Sequence, residues 1–282
     1  MKKIGFIDYF IDEWHANKYV GLVDEISKEY GYDFKVCYGY GEIDDFPGKI
    51  TTSAWCEKYG VTKCDSIKEL CKKSDYIMIL APANPEMHLR YAKEVLKYKK
   101  TTYIDKTFAP NIVEAKKIFA LGEKYQTPFF STSALRYADE IDEFNQNVKA
   151  MQTLGGGRAF DEYIIHQIEM IVKCMGTNAQ KVMVTSNGRQ TIGQILFENG
   201  NIGYVTYSYN YGFKVDIMKN DGSVCTRDIA SNTFKNLIKS VLKFFLDGTM
   251  PFESNQTLEV IAIRDTLIKA LKTPNTWVKI KR

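Results

Sequence analysis

Histidine changes charge near neutral pH, which suits it to move protons in catalysis. This chain of 282 residues has three, His15, His88 and His166. His166 lies in a helical stretch where Glu162, His166, Glu169 and Lys173 recur at i, i+4, i+7 and i+11 and share one polar face. Ile164, Ile165, Ile168, Ile171, Val172 and Met175 make the opposite face. The Glu162 and His166 pair therefore has two readings: an i,i+4 stabiliser on a solvated face, or a general acid–base pair for a bound hydroxyl. Lys106 follows a short β-rich run, either as an exposed strand-end lysine or as a ligand contact at the edge where open α/β sheets bind their ligands. His15, next to Trp14 at the start of a helix, either lines a cleft or packs and caps the first turn. His88 reads as a helix-surface or packing histidine.

These side chains need a scaffold, and the first half of the chain predicts one. β-rich runs at 4–7, 34–38, 76–80, 102–104 and 129–131 alternate with helical stretches at 13–30, 66–72, 85–98 and 110–125. That alternation is the signature of βαβ units and a parallel, doubly wound sheet. From 181 to 229 the pattern changes to strands separated by the turn signals Ser186-Asn187-Gly188, Glu198-Asn199-Gly200 and Asn220-Asp221-Gly222, which predict an antiparallel meander. Helical periodicity returns at 232–246 and 256–271. The reading is a Rossmann-type α/β domain over 1–132, followed over 133–282 by an α+β domain with a mainly antiparallel open sheet. Gly155 to Gly157 read as a flexible turn before the helix that bears His166. The aromatic run Tyr204, Tyr207, Tyr209, Tyr211 and Phe213 either docks a second subunit or packs within the chain.

Composition narrows the function classes. The formal net charge of +4 comes from scattered lysines rather than a basic block, so nucleic acid is not indicated. The six cysteines show no CxxC pair or metal-like spacing, which predicts reduced thiols and no metal. The first residues, MKKIGFIDYF, carry only a short apolar stretch broken by acids, so neither a signal peptide nor a membrane anchor is expected. A cytoplasmic protein is the expectation.

Three ordered segments, 74–110, 155–176 and 244–271, resemble the glucose-fructose oxidoreductase, inositol dehydrogenase and rhizopine-catabolism (Gfo/Idh/MocA) family over nearly the whole chain. The first carries a strand-end turn at Pro82, Ala83 and Asn84, His88 on the next helix, and Asp105-Lys106-Thr107 in place of Glu-Lys-Pro. The second resembles the family's Gly-rich turn and Asp-x-Gly-x-His-x-x-Asp helix, with Glu162, Ile164 and Glu169 departing from it. The third resembles its Gly-x-x-Pro turn and closing helix. The resemblance implies an oxidoreductase that moves hydride between NAD or NADP and a hydroxyl of a sugar, cyclitol or related polyol. It gives His166 the role of base, Glu162 that of its assistant, and Lys106 contacts to nicotinamide ribose and substrate. It puts cofactor contacts at Ile7, Asp8, Tyr9, His15, Pro82, Asn84, Asp105 and Lys106, and implies a homodimer or larger homo-oligomer through the open sheet. The stretch between Arg136 and His166 is short for the family, so part of the second sheet is expected to be missing.

The first loop departs most. A dinucleotide fold follows its first strand with G-x-G-x-x-G, so that backbone amides reach the pyrophosphate. Here Gly5 lies inside the strand and Asp8, Asp12 and Glu13 follow it. Unit-charge repulsion at about 5 Å and an effective dielectric near 20 is about 3 kcal/mol, a weakening of roughly a hundredfold. The second strand is followed by Glu42 as its first acid, and no arginine stands beside it to favour NADP. Two alternatives therefore stand beside the dehydrogenase: a cofactor-free relative that binds a ligand or regulates, and non-redox acid–base chemistry by Glu162 and His166.

Overall fold

The computed structural model describes residues 1–144 and 147–282. The chain forms two compact units. Unit 1 takes Met1–Ala109, Val113–Thr132 and Leu237–Pro251; unit 2 takes Pro110–Ile112, Ser133–Asn236 and Phe252–Arg282.

Unit 1 is built on a six-stranded parallel sheet in the order β3-β2-β1-β4-β5-β6. Its strands are β1 (Lys2–Asp8), β2 (Phe34–Gly41), β3 (Thr62–Lys63), β4 (Tyr76–Ile79), β5 (Thr102–Ile104) and β6 (Phe129–Ser131). Five match the expected runs, and β3 is an additional strand of two residues. The chain leaves β1 for β2 on one side and later returns to β4 on the other, so the order reverses between β1 and β4, where ligands of such sheets bind. Helices α1 (Trp14–Tyr30), α2 (Thr52–Tyr59), α3 (Ile67–Lys73), α4 (His88–Val95) and α5 (Ile112–Tyr125) connect the strands. Gly5 is required for a packing reason: a Cβ there would lie 2.4 Å from Ser74 Oγ and 2.5 Å from Leu70 Cδ2, so only glycine lets the end of α3 lie this close to β1.

A late segment completes this unit. Helix α7 (Thr233–Asp247) brings Phe245 onto Tyr76 at 4.9 Å between ring centroids and 22° between planes, with Phe34 at 6.3 Å. Phe244 meets Phe130 edge-on at 5.0 Å. Both phenylalanines are buried, which stabilises unit 1 by about 1.5–3 kcal/mol each.

Unit 2 contains a seven-stranded sheet in the order β12-β11-β7-β10-β9-β8-β13. The strands are β7 (Val148–Gly155), β8 (Ala179–Ser186), β9 (Gln190–Phe197), β10 (Ile202–Ser208), β11 (Lys214–Lys219), β12 (Val224–Asp228) and β13 (Val278–Lys279). All pairs are antiparallel except β7 with β10. The three expected turns join β8 to β9, β9 to β10 and β11 to β12. Strand β7 runs for eight residues through the interior of this sheet. One face, with Val182, Val184, Ile195, Val205 and Ile217 buried, packs beneath α6 (Phe160–Met175) and α8 (Ser254–Ala270). Met183, Ile192, Leu196, Ile202 and Tyr204 alternate with that set and are only half-buried.

Gly155 ends β7 and is not part of a loose turn. At Gly156 a Cβ would stand 2.0 Å from Ser208 O and 2.7 Å from Tyr209 O, so this glycine is imposed by close approach of the chain after β10. The aromatic run divides. Tyr207 donates to Gly157 O at 2.7 Å and meets Phe160 edge-on, and Phe213 packs against His166, while Tyr209 is 66% exposed. All six cysteines are free thiols. No helix among the described residues is long and apolar enough to cross a membrane.

Candidate functional site

In unit 1 the candidate residues gather at the carboxyl ends of β1, β4 and β5. Asp105 follows β5 and is held there by its own amide, which donates to Ile79 O at 2.8 Å. Its side chain is fully buried, and Oδ1 accepts from Lys106 N at 2.8 Å and lies 3.1 Å from the Tyr103 hydroxyl. Oδ2 is paired with His15 Nδ1, and the Tyr19 hydroxyl stands 3.1 Å from the same nitrogen. Burial, followed by the charge of Asp105, pushes the Tyr19 hydroxyl well above its usual range, so it stays protonated. His15 is thus oriented by a buried carboxyl ninety residues away, which no local pattern could reveal.

Lys106 is buried to 7% exposure, and its Nζ donates to Pro82 O at 3.3 Å. The turn that supplies this carbonyl begins at Ala81, whose φ is +50°, and leads through Asn84 into a 3₁₀ turn, Pro85–Met87. His88 is no surface histidine: fully buried, it puts Nε2 2.6 Å from Leu80 O and Nδ1 3.1 Å from Phe108 O, joining the segments that follow β4 and β5. Burial lowers its pKa despite those carbonyls.

The first loop holds the main electrostatic surprise. Asp8 is 1% exposed, and its Oδ1 accepts from Tyr9 N at 2.8 Å and Ala81 N at 3.1 Å. Burial, with the charges of Glu13 and Asp105 adding to it, holds this carboxyl well above the usual range against those two amides. Burial thus weakens the tendency of Asp8 to carry the charge that the sequence suggested. Asp12 turns to Asn17 Nδ2 at 2.9 Å and Ile50 N at 3.1 Å, and Glu13 caps α1 by accepting from Trp14 N at 3.2 Å. Phe10 stacks on Phe46 at 3.9 Å, so a ring from the segment after β2 packs against the glycine-free turn. Ile7 is core, and Tyr9 is half-buried, its carbonyl accepting from Ile43 N at 2.9 Å. Glu42, just beyond β2, is held by Arg90 Nη2 at 2.5 Å and the Tyr91 hydroxyl at 2.7 Å. Sequence reasoning missed both partners, because they come from α4, more than forty residues on.

In unit 2 the polar face of α6 is packed, not solvated. Residues 133–137 cover it, leaving His166 and Glu169 at 7% and 3% exposure. Ser133 Oγ lies 2.5 Å from His166 Nδ1, and Phe213 and Tyr163 rings flank the imidazole. Glu162 does not supply that contact: its two oxygens take the Arg158 guanidinium four residues earlier. Glu169 accepts from Ser133 N at 3.2 Å and Arg136 Nη1 at 3.0 Å.

Gln167 fixes the helix beneath the histidine. Its Oε1 accepts from Thr153 Oγ1 at 2.9 Å and Thr206 N at 3.0 Å; its Nε2 donates to Gly155 O at 3.1 Å and Thr206 O at 3.2 Å. All four bonds of one buried amide thus tie α6 to β7 and β10 and set the rotation that presents His166. Among the described residues no cluster of three His, Cys, Asp or Glu could hold a metal ion.

No family model and no curated protein matches the chain. Solved structures do. The myo-inositol dehydrogenase from Lactobacillus casei, in complex with NAD(H) and myo-inositol, superposes with a TM-score of 0.82 at 9% identity, over 100% of this chain and 97% of that one. The scyllo-inositol dehydrogenase from Lactobacillus casei, with bound NAD(H) and scyllo-inositol, gives 0.76 at 12% identity over 99% of both chains. A dehydrogenase (MviM) from Clostridium difficile gives 0.71 at 15% identity over 96% of this chain and 99% of that one. At such identities the likeness is one of fold: the chain shares the fold of these dehydrogenases.

Proposed function

We propose that the protein is an oxidoreductase that transfers hydride between a nicotinamide cofactor, NAD or NADP, and a hydroxyl-bearing carbon of a sugar, cyclitol or related polyol. One observation carries this reading: Asp105 and Lys106 stand at the carboxyl end of β5, beside the point where strand order reverses, with His15 locked onto Asp105. That is the edge where open α/β sheets bind their ligands. The fold likeness to dehydrogenases solved with NAD(H) supports the choice of ligand.

The residues at this edge fit such a cofactor. Burial raises the Asp8 pKa, which lessens the repulsion its carboxyl offers a phosphoryl group. Pro82, Asn84, Asp105 and Lys106 would hold the nicotinamide end, and Ile7, Asp8, Tyr9 and His15 the phosphate end. When bound, the nicotinamide supplies the hydride acceptor or donor. The protein supplies the proton chemistry: His166 Nε2 takes the proton of the substrate hydroxyl, Ser133 fixes the ring through Nδ1, and Lys106 Nζ binds substrate oxygen and ribose. Glu162, bound to Arg158, assists through charge rather than contact. The half-buried face of the second sheet, with Ile192, Leu196, Ile202 and Tyr204, supports assembly as a homodimer or larger homo-oligomer, to be read by light scattering.

Calorimetric titration with NAD(H) and NADP(H) tests the proposal. Binding of one cofactor, followed by reduced-nicotinamide absorbance with inositols or sugars that is lost in His166→Ala, is the expected result. Absence of heat for either at millimolar cofactor refutes it and leaves the cofactor-free alternative.

A further inference from the structure

Helices α4 and α5 are neighbours in unit 1, and each has two faces. Tyr91, Ala92 and Val95 of α4 and Ala115 and Ile118 of α5 are buried. The outward faces meet in an open groove of about 280 Å³, lined by Leu89 and Lys93 from α4 and by Lys117, Ala120, Leu121 and Lys124 from α5. Its floor is apolar. Leu89 and Leu121 are half-buried, Ala120 is exposed, and Val113, one turn before Lys117 on the same face of α5, is 59% exposed. Its rim is cationic, since all three lysines are exposed. Glu94, Glu114 and Glu123 stand on the same two helices, but none of them lines the groove. Lys73, Lys243 and Lys269 each hold a carboxylate four residues away, whereas Lys93, Lys117 and Lys124 hold none among the described residues. An exposed apolar patch rimmed by charge of one sign is the mark of a recognition surface.

The spacing of the lysines selects the partner. Lys117 and Lys124 are seven residues apart on α5, which puts them on one face and about 10.5 Å apart along the axis. A small anion reaches one of them and leaves the floor bare. A nucleic-acid backbone offers that floor nothing apolar. A helix laid along the groove repeats the spacing in its own acids at i and i+7, and brings the apolar residues between them onto the floor.

We propose that the groove between α4 and α5 docks an acidic amphipathic helix of a partner protein. Its apolar stripe rests on Leu89, Ala120 and Leu121, and its carboxylates meet Lys117 and Lys124 on one side and Lys93 on the other. Each exposed charge pair changes affinity only a few-fold and is screened by salt, so binding needs floor and rim together.

The test uses a capped, fluorescein-labelled, alanine-based peptide of about eighteen residues, long enough to be helical alone, with leucines at i, i+3, i+4 and i+7 and glutamates on both flanks. Fluorescence anisotropy reads its binding to the full chain at about 50 mM and about 300 mM salt. Saturable binding that weakens several-fold at the higher salt is expected. Joint Lys117→Glu and Lys124→Glu replacement should weaken it at least about tenfold, and this variant should bind instead the same peptide with lysines in place of glutamates. Leu121→Gln leaves the charge unchanged and should weaken binding at least about fivefold. Absence of saturable binding, or binding indifferent to Leu121→Gln, overturns the proposal. Two further results also overturn it: phosphatidylserine vesicles bound in place of the peptide, which assigns the lysines to a lipid surface, and self-association lost in the double lysine variant, which assigns the groove to a second copy. The two lysines are exposed, so their replacement leaves the fold intact; circular dichroism checks Leu121→Gln, and Ala120→Gln takes its place if that variant unfolds.

Discussion

Replacement of Gln167 by methionine keeps the length and approximate volume of the side chain and deletes both polar atoms. Gln167 and Thr153 are fully buried and Thr206 is 4% exposed, so water cannot take over the lost bonds. Thr206 N loses its acceptor, and the carbonyls of Gly155 and Thr206 lose a donor; the Thr153 hydroxyl still reaches Tyr204 O at 3.1 Å. An orphaned buried donor costs about 1–3 kcal/mol and deprived carbonyls add to that, giving about 2–4 kcal/mol in all. Urea unfolding followed by circular dichroism measures the loss, and hydrogen exchange reads the Thr206 amide directly. Its exchange should accelerate with the global opening, and catalysis should fall as well, since Gln167 sets the rotation of the helix bearing His166. A loss below about 1 kcal/mol with Thr206 protection unchanged would refute the reasoning, because Gln167 would then act through packing alone.

Glu169→Ala takes the paired carboxylate from the Arg136 guanidinium, whose side chain is 4% exposed and which keeps Gln256 as a neutral partner, and should cost about 3–5 kcal/mol in the same unfolding assay; joint replacement of both by apolar residues should recover most of it. Gly156→Ala drives a methyl into two carbonyl oxygens and should destabilise unit 2 by at least about 1–3 kcal/mol, seen as a lower urea midpoint. Burial depresses the His88 pKa, so in the unfolded chain this residue takes up a proton first as pH falls. Its contribution to stability should be complete above about pH 6.5 and decline below it towards the folded pKa, and His88→Gln should lose that part of the slope.

The scaffold was largely legible because its long strands and helices carry strong periodicity. Thr62–Lys63 was not, since two residues have no period, and α2 is a single short helix within a polar stretch. β7 was hidden by the glycines at its end, which read as a turn until the chain after β10 explains them. The site was legible as residue types but not as partnerships. Glu162 had two candidates at i±4, and the structure gives it to Arg158, because the guanidinium fork matches a carboxylate while Ser133 takes the imidazole. The pairs His15 with Asp105 and His166 with Ser133 are separated by 90 and 33 residues, and only the sheet and the packed turn bring them together. The environment of Asp8 was hidden for a similar reason: sequence gives an acid its ordinary pKa, whereas burial raises it.

The rings of Phe244 and Phe245 have a consequence for biosynthesis. Unit 1 owns residues from the beginning of the chain and again from 237 to 251, so its parallel sheet is synthesised long before the helix that covers Phe34, Tyr76 and Phe130. At ordinary elongation rates the gap from residue 132 to residue 251 lasts roughly ten seconds. During that time the nascent sheet shows an aromatic surface to its surroundings, which makes this interval a natural point of chaperone engagement. A chain interrupted after residue 132 never closes it.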